Sequence, residues 1–178
     1  LLSTPAGAGT TTLWFSNYWG FIREYLNESF GQDYCLTPES SLDLHAGNNI
    51  IYRQVTVITK KATNETIELL HDTSLLLYQD DKNFPTTITQ KNGLNIIPIS
   101  EAICRASPQY FLNSTLNMEI CLQLIGAPSE VSRVLLETKA LSAANRIMGA
   151  YQALNDQTSA TQIEKDMLAA GYLVNAVN

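Results

Sequence analysis

Residues 33–48 read Asp33-Tyr34-Cys35-Leu36-Thr37-Pro38-Glu39-Ser40-Ser41-Leu42-Asp43-Leu44-His45-Ala46-Gly47-Asn48. This stretch contains a helix start, because Thr37 can cap a helix and Pro38 fits the first helical position. Leu42 and Leu44 supply apolar side chains, and Gly47 is suited to end the helix. The stretch therefore predicts a short helix that follows an aromatic helix and precedes a region of strands.

The segment before this stretch has a helical pattern from Leu13 to Phe30, and Gly31 lies just past its end. Aromatic and aliphatic side chains recur there at three-to-four spacing. Such a stripe is typical of a helix face that packs on a core, and we interpret it so rather than as a surface for stacking bases. The stripe consists of Phe15, Trp19, Ile22 and Leu26, widened by Tyr18, Phe21 and Tyr25.

Between residues 50 and 100 the pattern changes to period two, with many β-branched side chains. Asn92-Gly93 separates two such runs and is the strongest short-range signal for a hairpin in the chain. The sequence predicts about five short strands in a mostly antiparallel sheet. The runs are Gln54–Thr59, Glu65–Leu70, Ser74–Tyr78, Thr86–Gln90 and Leu94–Ile99.

Helical patterns follow, and we expect Ser100 to cap the first helix and Ser107-Pro108 to open the second. The predicted helices are Glu101–Arg105, Pro108–Asn113, Thr115–Ile125, a helix that starts at Pro128, Leu141–Leu154 and Ser159–Ala170. The predicted fold is α+β, with an amino-terminal helix pair, a small mostly antiparallel sheet and a carboxy-terminal helical bundle. The expected division is a linker over residues 1–12, an α/β lobe over 13–106 and a helical lobe packed on it over 107–178.

The composition limits the classes of function. The formal net charge is -6, and Lys60-Lys61 is the only adjacent pair of basic residues. Because binding to phosphate backbones needs clustered Lys and Arg, we expect weak or no nucleic-acid binding by this chain. No run approaches the length of a membrane helix, so no membrane association is expected.

The three cysteines, Cys35, Cys104 and Cys121, are odd in number and lack zinc-ligand spacing. Cys104 and Cys121 lie in apolar, helix-like surroundings, which favours a reducing, cytoplasmic compartment. The chain starts with Leu rather than Met, and its last residues carry no helix stop or charged tail. We therefore expect it to be a piece of a longer protein.

Few residues qualify as chemical candidates. His45 and Asp43 lie on the short helix and are the two candidates for a ligand or an acid–base group. A packed or capping histidine near a helix carboxyl end is the simpler interpretation of His45. Glu137-Thr138-Lys139 has the acidic-x-Lys form of many nucleases but falls at the end of a predicted helix rather than on a strand. No catalytic, cofactor-binding or metal-ligating residue is assigned, and no cofactor is expected.

Three blocks of the chain resemble the region that precedes the catalytic domain in large bacterial Fic proteins, and also AbiEi-type antitoxins. The resemblance extends over nearly all of residues 13–172, and it is carried by packing and turn residues. The blocks are Tyr18–Ile22 with Phe30–Leu36; Pro38–Asn48; and Leu94–Ile103 followed by Val134–Glu137 and Ala143–Tyr151.

The resemblance implies a non-catalytic regulatory or interaction domain, which would contact a Fic domain or another protein domain in the same or a partner chain. In that family a winged helix usually precedes the region, and in Fic proteins the AMP-transferring domain follows it. The chain contains no His-Pro-Phe-x-Asp/Glu-Gly-Asn-Gly-Arg loop, and no Glu is followed by Gly or Asn as in the inhibitory helix of some Fic proteins. Two alternatives stay open: a fragment of a DNA-binding regulator without its winged helix, and a nuclease-like enzyme fragment with a site around His45 and Asp43.

Overall fold

The computed structural model describes residues 10–61 and 64–176. The α+β prediction is confirmed, since these residues form helices, a four-stranded mixed sheet and a separate two-stranded sheet. The strands are β1 Tyr34–Leu36, β2 Gln54–Thr59, β3 Glu65–Glu68, β4 Ser74–Gln79, β5 Thr89–Lys91 and β6 Leu94–Ile96. The helices are α1 Thr10–Phe30, α2 Pro38–His45, α3 Ile99–Arg105, α4 Pro108–Asn113, α5 Thr115–Leu124, α6 Pro128–Thr138, α7 Leu141–Ala153 and α8 Gln157–Ala169.

The chain forms two compact units, each built from two separate segments. The α/β unit combines the chain up to Thr37 with Asn49–Ile96, and the helical unit combines Pro38–Asn48 with Ile97–Asn178. This division differs from the expected boundary at residue 106, because α2 and α3 pack with each other and with later helices. The predicted linker over residues 1–12 falls mostly outside the described residues. Its last three residues are helical, because no Gly or Pro interrupts the chain between Thr10 and Trp19.

The four-stranded sheet has the order β1-β2-β4-β3, with β2 and β4 parallel and the other two pairings antiparallel. Val55 lies opposite Leu75 and Val57 opposite Leu77, and all four side chains are buried. The alternation in β2 therefore places one apolar face on the core, as period two requires. The strand β1, which the pattern did not predict, is three residues long and buried throughout, so it has no alternation to detect.

The aromatic helix α1 faces the core of the α/β unit, as its pattern predicts. Tyr18, Ile22 and Leu26 are fully buried at four-residue spacing. The hydroxyl of Tyr18 donates to the carbonyl of Tyr52 at 3.0 Å, and the indole of Trp19 donates to the carbonyl of Ile50 at 3.2 Å. Two hydrogen bonds thus fix α1 to the segment that enters β2.

Asn92-Gly93 joins β5 to β6 as an antiparallel hairpin, which confirms the turn prediction. Both residues have positive φ, 51° at Asn92 and 76° at Gly93, as a two-residue turn of this kind requires. The side-chain amide of Asn27 donates to the carbonyl of Gly93 at 2.9 Å, so the turn is also held by α1.

The helical unit is organised around α3, which packs on α2, α6 and α7. Ala102 and Ile103 of α3 are fully buried. The prediction that Ser100 caps this helix is wrong. The helix begins at Ile99, two residues before the predicted start at Glu101, and the Ser100 hydroxyl donates instead to Glu130 at 3.2 Å. The Ser107 cap of α4 is confirmed, since its side chain accepts from the backbone N–H of Tyr110.

We expect Gly93→Ala to lower the free energy of unfolding by about 1–2 kcal/mol, because an L side chain is strained at positive φ. A Cβ at this position would also lie 2.5 Å from Cδ of Arg23, which would have to move. Gly20→Ala is the matched control. It lies inside α1, where its Cβ meets nothing closer than 3.9 Å, and it should raise stability by about 0.5–1 kcal/mol. Urea unfolding of both variants measures the two changes in the free energy of unfolding. If both variants were stabilised, or both destabilised, the turn geometry given for Gly93 would be contradicted.

Candidate functional site

Asp43, one of the two predicted candidates, lies in the interior of the helical unit with 7% of its surface exposed. Its Oδ1 accepts two hydrogen bonds of 2.6 Å, from the Tyr110 hydroxyl of α4 and from the side-chain amide of Asn117 of α5. A buried carboxylate needs such donors, since an unpaired charge is costly to desolvate. Asp43 therefore joins α2 to two later helices.

His45, the other candidate, is the last residue of α2 and is partly exposed. Its Nε2 lies 2.9 Å from the backbone carbonyl of Ile97. Because a carbonyl oxygen can only accept, Nε2 carries the proton in this hydrogen bond. The structure thus brings Asp43 and His45 onto one short helix but bonds them to different segments, Asp43 to α4 and α5 and His45 to the residue before Pro98.

The groups around Asp43 are poorly suited to nucleophilic chemistry at neutral pH. Burial, followed by the hydrogen bond to Asp43, raises the pKa of the Tyr110 hydroxyl, which stays protonated and donates. Burial, followed by the charge of Asp43, raises the pKa of the Cys121 thiol to about 12. Burial likewise raises the pKa of Cys104 to about 12. Because the thiolate is the reactive form of cysteine, these raised pKa values keep both groups in the less reactive thiol form at neutral pH.

The acidic-x-Lys triplet lies at the end of α6, as the sequence predicts, rather than on a strand. Glu137 pairs with Arg133 at 2.8 Å across one helical turn on an exposed surface, and Lys139 adopts the left-handed cap conformation with φ of 54°. Within the described part of the chain, no group of three or more His, Cys, Asp or Glu residues is arranged to hold a metal ion. In the same residues no helix is long and apolar enough to cross a membrane.

An open groove of about 490 Å³ lies in the helical unit between α4, α5 and α7. Its volume falls in the range of small-molecule sites, which often lie between helices. Its walls are mainly apolar, and the α7 side is built from small residues that leave the space open. The groove is lined by Pro108, Phe111, Leu112, Thr115, Met118, Glu119, Leu122, Arg146, Gly149, Ala150, Ala153 and Leu154.

Two charged side chains interrupt the apolar lining of the groove. The guanidinium of Arg146 lies over the Phe111 ring, 5.6 Å from its centroid, in a cation–π contact. The Nε atom of Arg146 is buried and has no hydrogen-bond partner. Among the described residues, no ion pair involves either Arg146 or Glu119. A cation without a counterion therefore borders an apolar cavity.

The patterns considered in the sequence do not predict this groove. The feature of the sequence that relates to it is the set of small residues Gly149, Ala150 and Ala153, which are spaced so that they share one face of α7. Only the packing of three helices shows that this face lies opposite Phe111 and Met118, with space between them.

We expect Asp43→Ala to lower the free energy of unfolding by about 3–5 kcal/mol, because it removes two charge-assisted hydrogen bonds and leaves buried donors without an acceptor. Asp43→Asn keeps an acceptor oxygen and should cost less. Asp81→Ala, at an exposed position, is the control and should change stability by no more than about 0.5 kcal/mol. Chemical denaturation of the three variants gives the comparison.

Comparison of the chain with protein-family models, with curated proteins and with solved structures finds no match. The resemblance to Fic-associated and AbiEi-type regions accordingly stays a prediction, carried by the three blocks of residues quoted above.

Proposed function

We propose that this chain is a non-catalytic regulatory or interaction domain that binds an apolar ligand group in the groove between α4, α5 and α7. The observation that carries the proposal is the groove itself, with its volume of about 490 Å³ and its mainly apolar walls. Leu112, on its wall, is 72% exposed. Contiguous exposed apolar surface of this kind marks binding sites in soluble proteins.

The positions of the two candidate residues are consistent with a binding domain. Asp43 and His45 hydrogen-bond to groups of their own unit, Tyr110 and Asn117 in one case and the Ile97 carbonyl in the other. Such contacts serve packing, whereas a general acid or base must reach a substrate. We therefore assign no catalytic role to either residue.

The setting proposed for the domain is a Fic-type or AbiEi-antitoxin-type bacterial protein, on the strength of the three sequence blocks. Its protein partner would be a Fic domain or another domain in the same or a partner chain. Three buried free thiols favour the cytoplasm, where cysteines stay reduced. The net charge of -6 favours a protein or small-molecule ligand over nucleic acid.

Nile red, a neutral apolar dye that fluoresces more strongly out of water, should bind the chain in the groove. Ala150→Leu fills the space next to Phe111 and Met118 and should reduce the fluorescence gain at least about tenfold, since a pocket already filled by a side chain offers little apolar area to a ligand. Fluorescence titration of the dye into each variant is the measurement.

Ala169→Leu is the matched control, because it makes the same change at an exposed position of α8. It should leave dye binding as in the unsubstituted chain. Thermal melts show whether both variants are folded. Equal dye binding by a folded Ala150→Leu variant would refute the groove as the binding site.

The chain alone should not transfer AMP to proteins. The residues that activate the acceptor and bind the nucleotide anion in Fic enzymes form a His- and Gly-containing loop that this sequence lacks. Incubation with labelled ATP and a cell lysate, beside an active Fic enzyme as the positive control, measures the transfer. Label that appears on lysate proteins in the presence of this chain, and is absent without it, would show that the domain is an enzyme.

A further inference from the structure

The groove is lined by one cationic side chain, Arg146, and one carboxylate, Glu119, and no ion pair of the described residues involves either of them. Arg146 projects from α7 beside apolar side chains, and the described residues offer it no carboxylate partner. Its Nε is buried without a hydrogen bond, which is unusual because buried polar atoms are nearly always paired. A guanidinium that lines an apolar groove and forms no ion pair within the described residues is a ready contact for an anionic group of a ligand.

We infer that the groove binds a small amphipathic monoanion, an apolar chain that ends in a carboxylate, with Arg146 as the contact for the carboxylate. This inference rests on the proposed function, because it identifies the ligand of the same groove. A medium-chain fatty acid is the simplest molecule of this class.

The walls of the groove fit the apolar part of such a ligand. Phe111, Met118, Leu122 and Leu154 offer aromatic and aliphatic surface, and Ala150 leaves room between them. Methionine adapts its shape readily, so Met118 can follow a flexible chain. Burial of each methylene group in such surroundings should strengthen binding about fourfold.

The charges limit the head group to a single negative charge. The planar guanidinium of Arg146, which lies over the Phe111 ring, can bind a carboxylate through two parallel hydrogen bonds. Glu119 lines the same groove and carries the opposite charge. A doubly charged head group, such as a phosphate monoester, would be attracted more strongly by Arg146 but also repelled more strongly by Glu119, and it would cost more to remove from water into an apolar groove than a carboxylate.

The test compares decanoate with decanol, which share an apolar chain and differ in the head group. Calorimetric titration below the micelle concentration should show that decanoate binds about tenfold more tightly than decanol, because only the carboxylate bonds to Arg146. Arg146→Gln should remove this preference, so that the ratio of the two affinities falls from about ten to about one. Arg133→Gln, which removes an equal charge from the exposed face of α6, is the matched control and should retain the preference.

Glu119→Gln provides a second, independent variant in case Arg146→Gln does not fold. It should strengthen decanoate binding about twofold by removing a repulsive charge, with no effect on decanol. Equal affinities of decanoate and decanol for the unsubstituted chain would overturn the inference, as would a preference that survives Arg146→Gln. Decyl phosphate that binds as tightly as decanoate would overturn the choice of a monoanion.

Failure of this inference can be told apart from failure of the proposed function. If Nile red binding is blocked by Ala150→Leu but decanoate has no advantage over decanol, the groove is a binding site for a different ligand. If Ala150→Leu leaves Nile red binding unchanged, the groove is not the binding site and both proposals fall.

Discussion

The helical unit depends on a buried carboxylate that must find its hydrogen-bond donors far away in the chain. The helix α2 has eight residues and is too short to be stable alone. Its place is set by the burial of Leu42 and by Asp43, which accepts from Tyr110 and Asn117. The same contacts orient α4 and α5 relative to α2. The arrangement of α2, α4 and α5 therefore follows from the need to give one buried carboxylate its hydrogen-bond donors.

The candidate binding site uses the helices that Asp43 holds. Tyr110 and Phe111 are adjacent in α4, which has six residues; the first bonds to Asp43 and the second lines the groove beneath Arg146. A residue that holds the buried carboxylate and a residue that lines the candidate groove are thus neighbours on α4.

Local patterns predicted the local structure well. The strand patterns predicted the bounds of β2 and β4 to within one residue. Asn92-Gly93 predicted the hairpin, and Ser107-Pro108 predicted the start of α4. Features that depend on residues far apart in the chain were not predicted. They are the parallel pairing of β2 with β4, the two-segment units and the groove. The chemistry of its side chain makes Asp43 a candidate in the sequence. Its hydrogen-bond partners lie 67 and 74 positions further along the chain, and no local pattern connects them to it.

The interleaving of the two units affects the order in which the chain can fold as it is synthesised. The α/β unit is complete when the chain has been synthesised to Ile96. The helix α2 can form all its hydrogen bonds only after Asn117 has been synthesised, 74 positions after Asp43. At typical elongation rates of about 5–20 residues per second, this delay is on the order of 4–15 s. For that interval the nascent chain has made Leu42 and Asp43 but not yet Asn117, and chaperones that hold unfolded segments have time to bind near the ribosome.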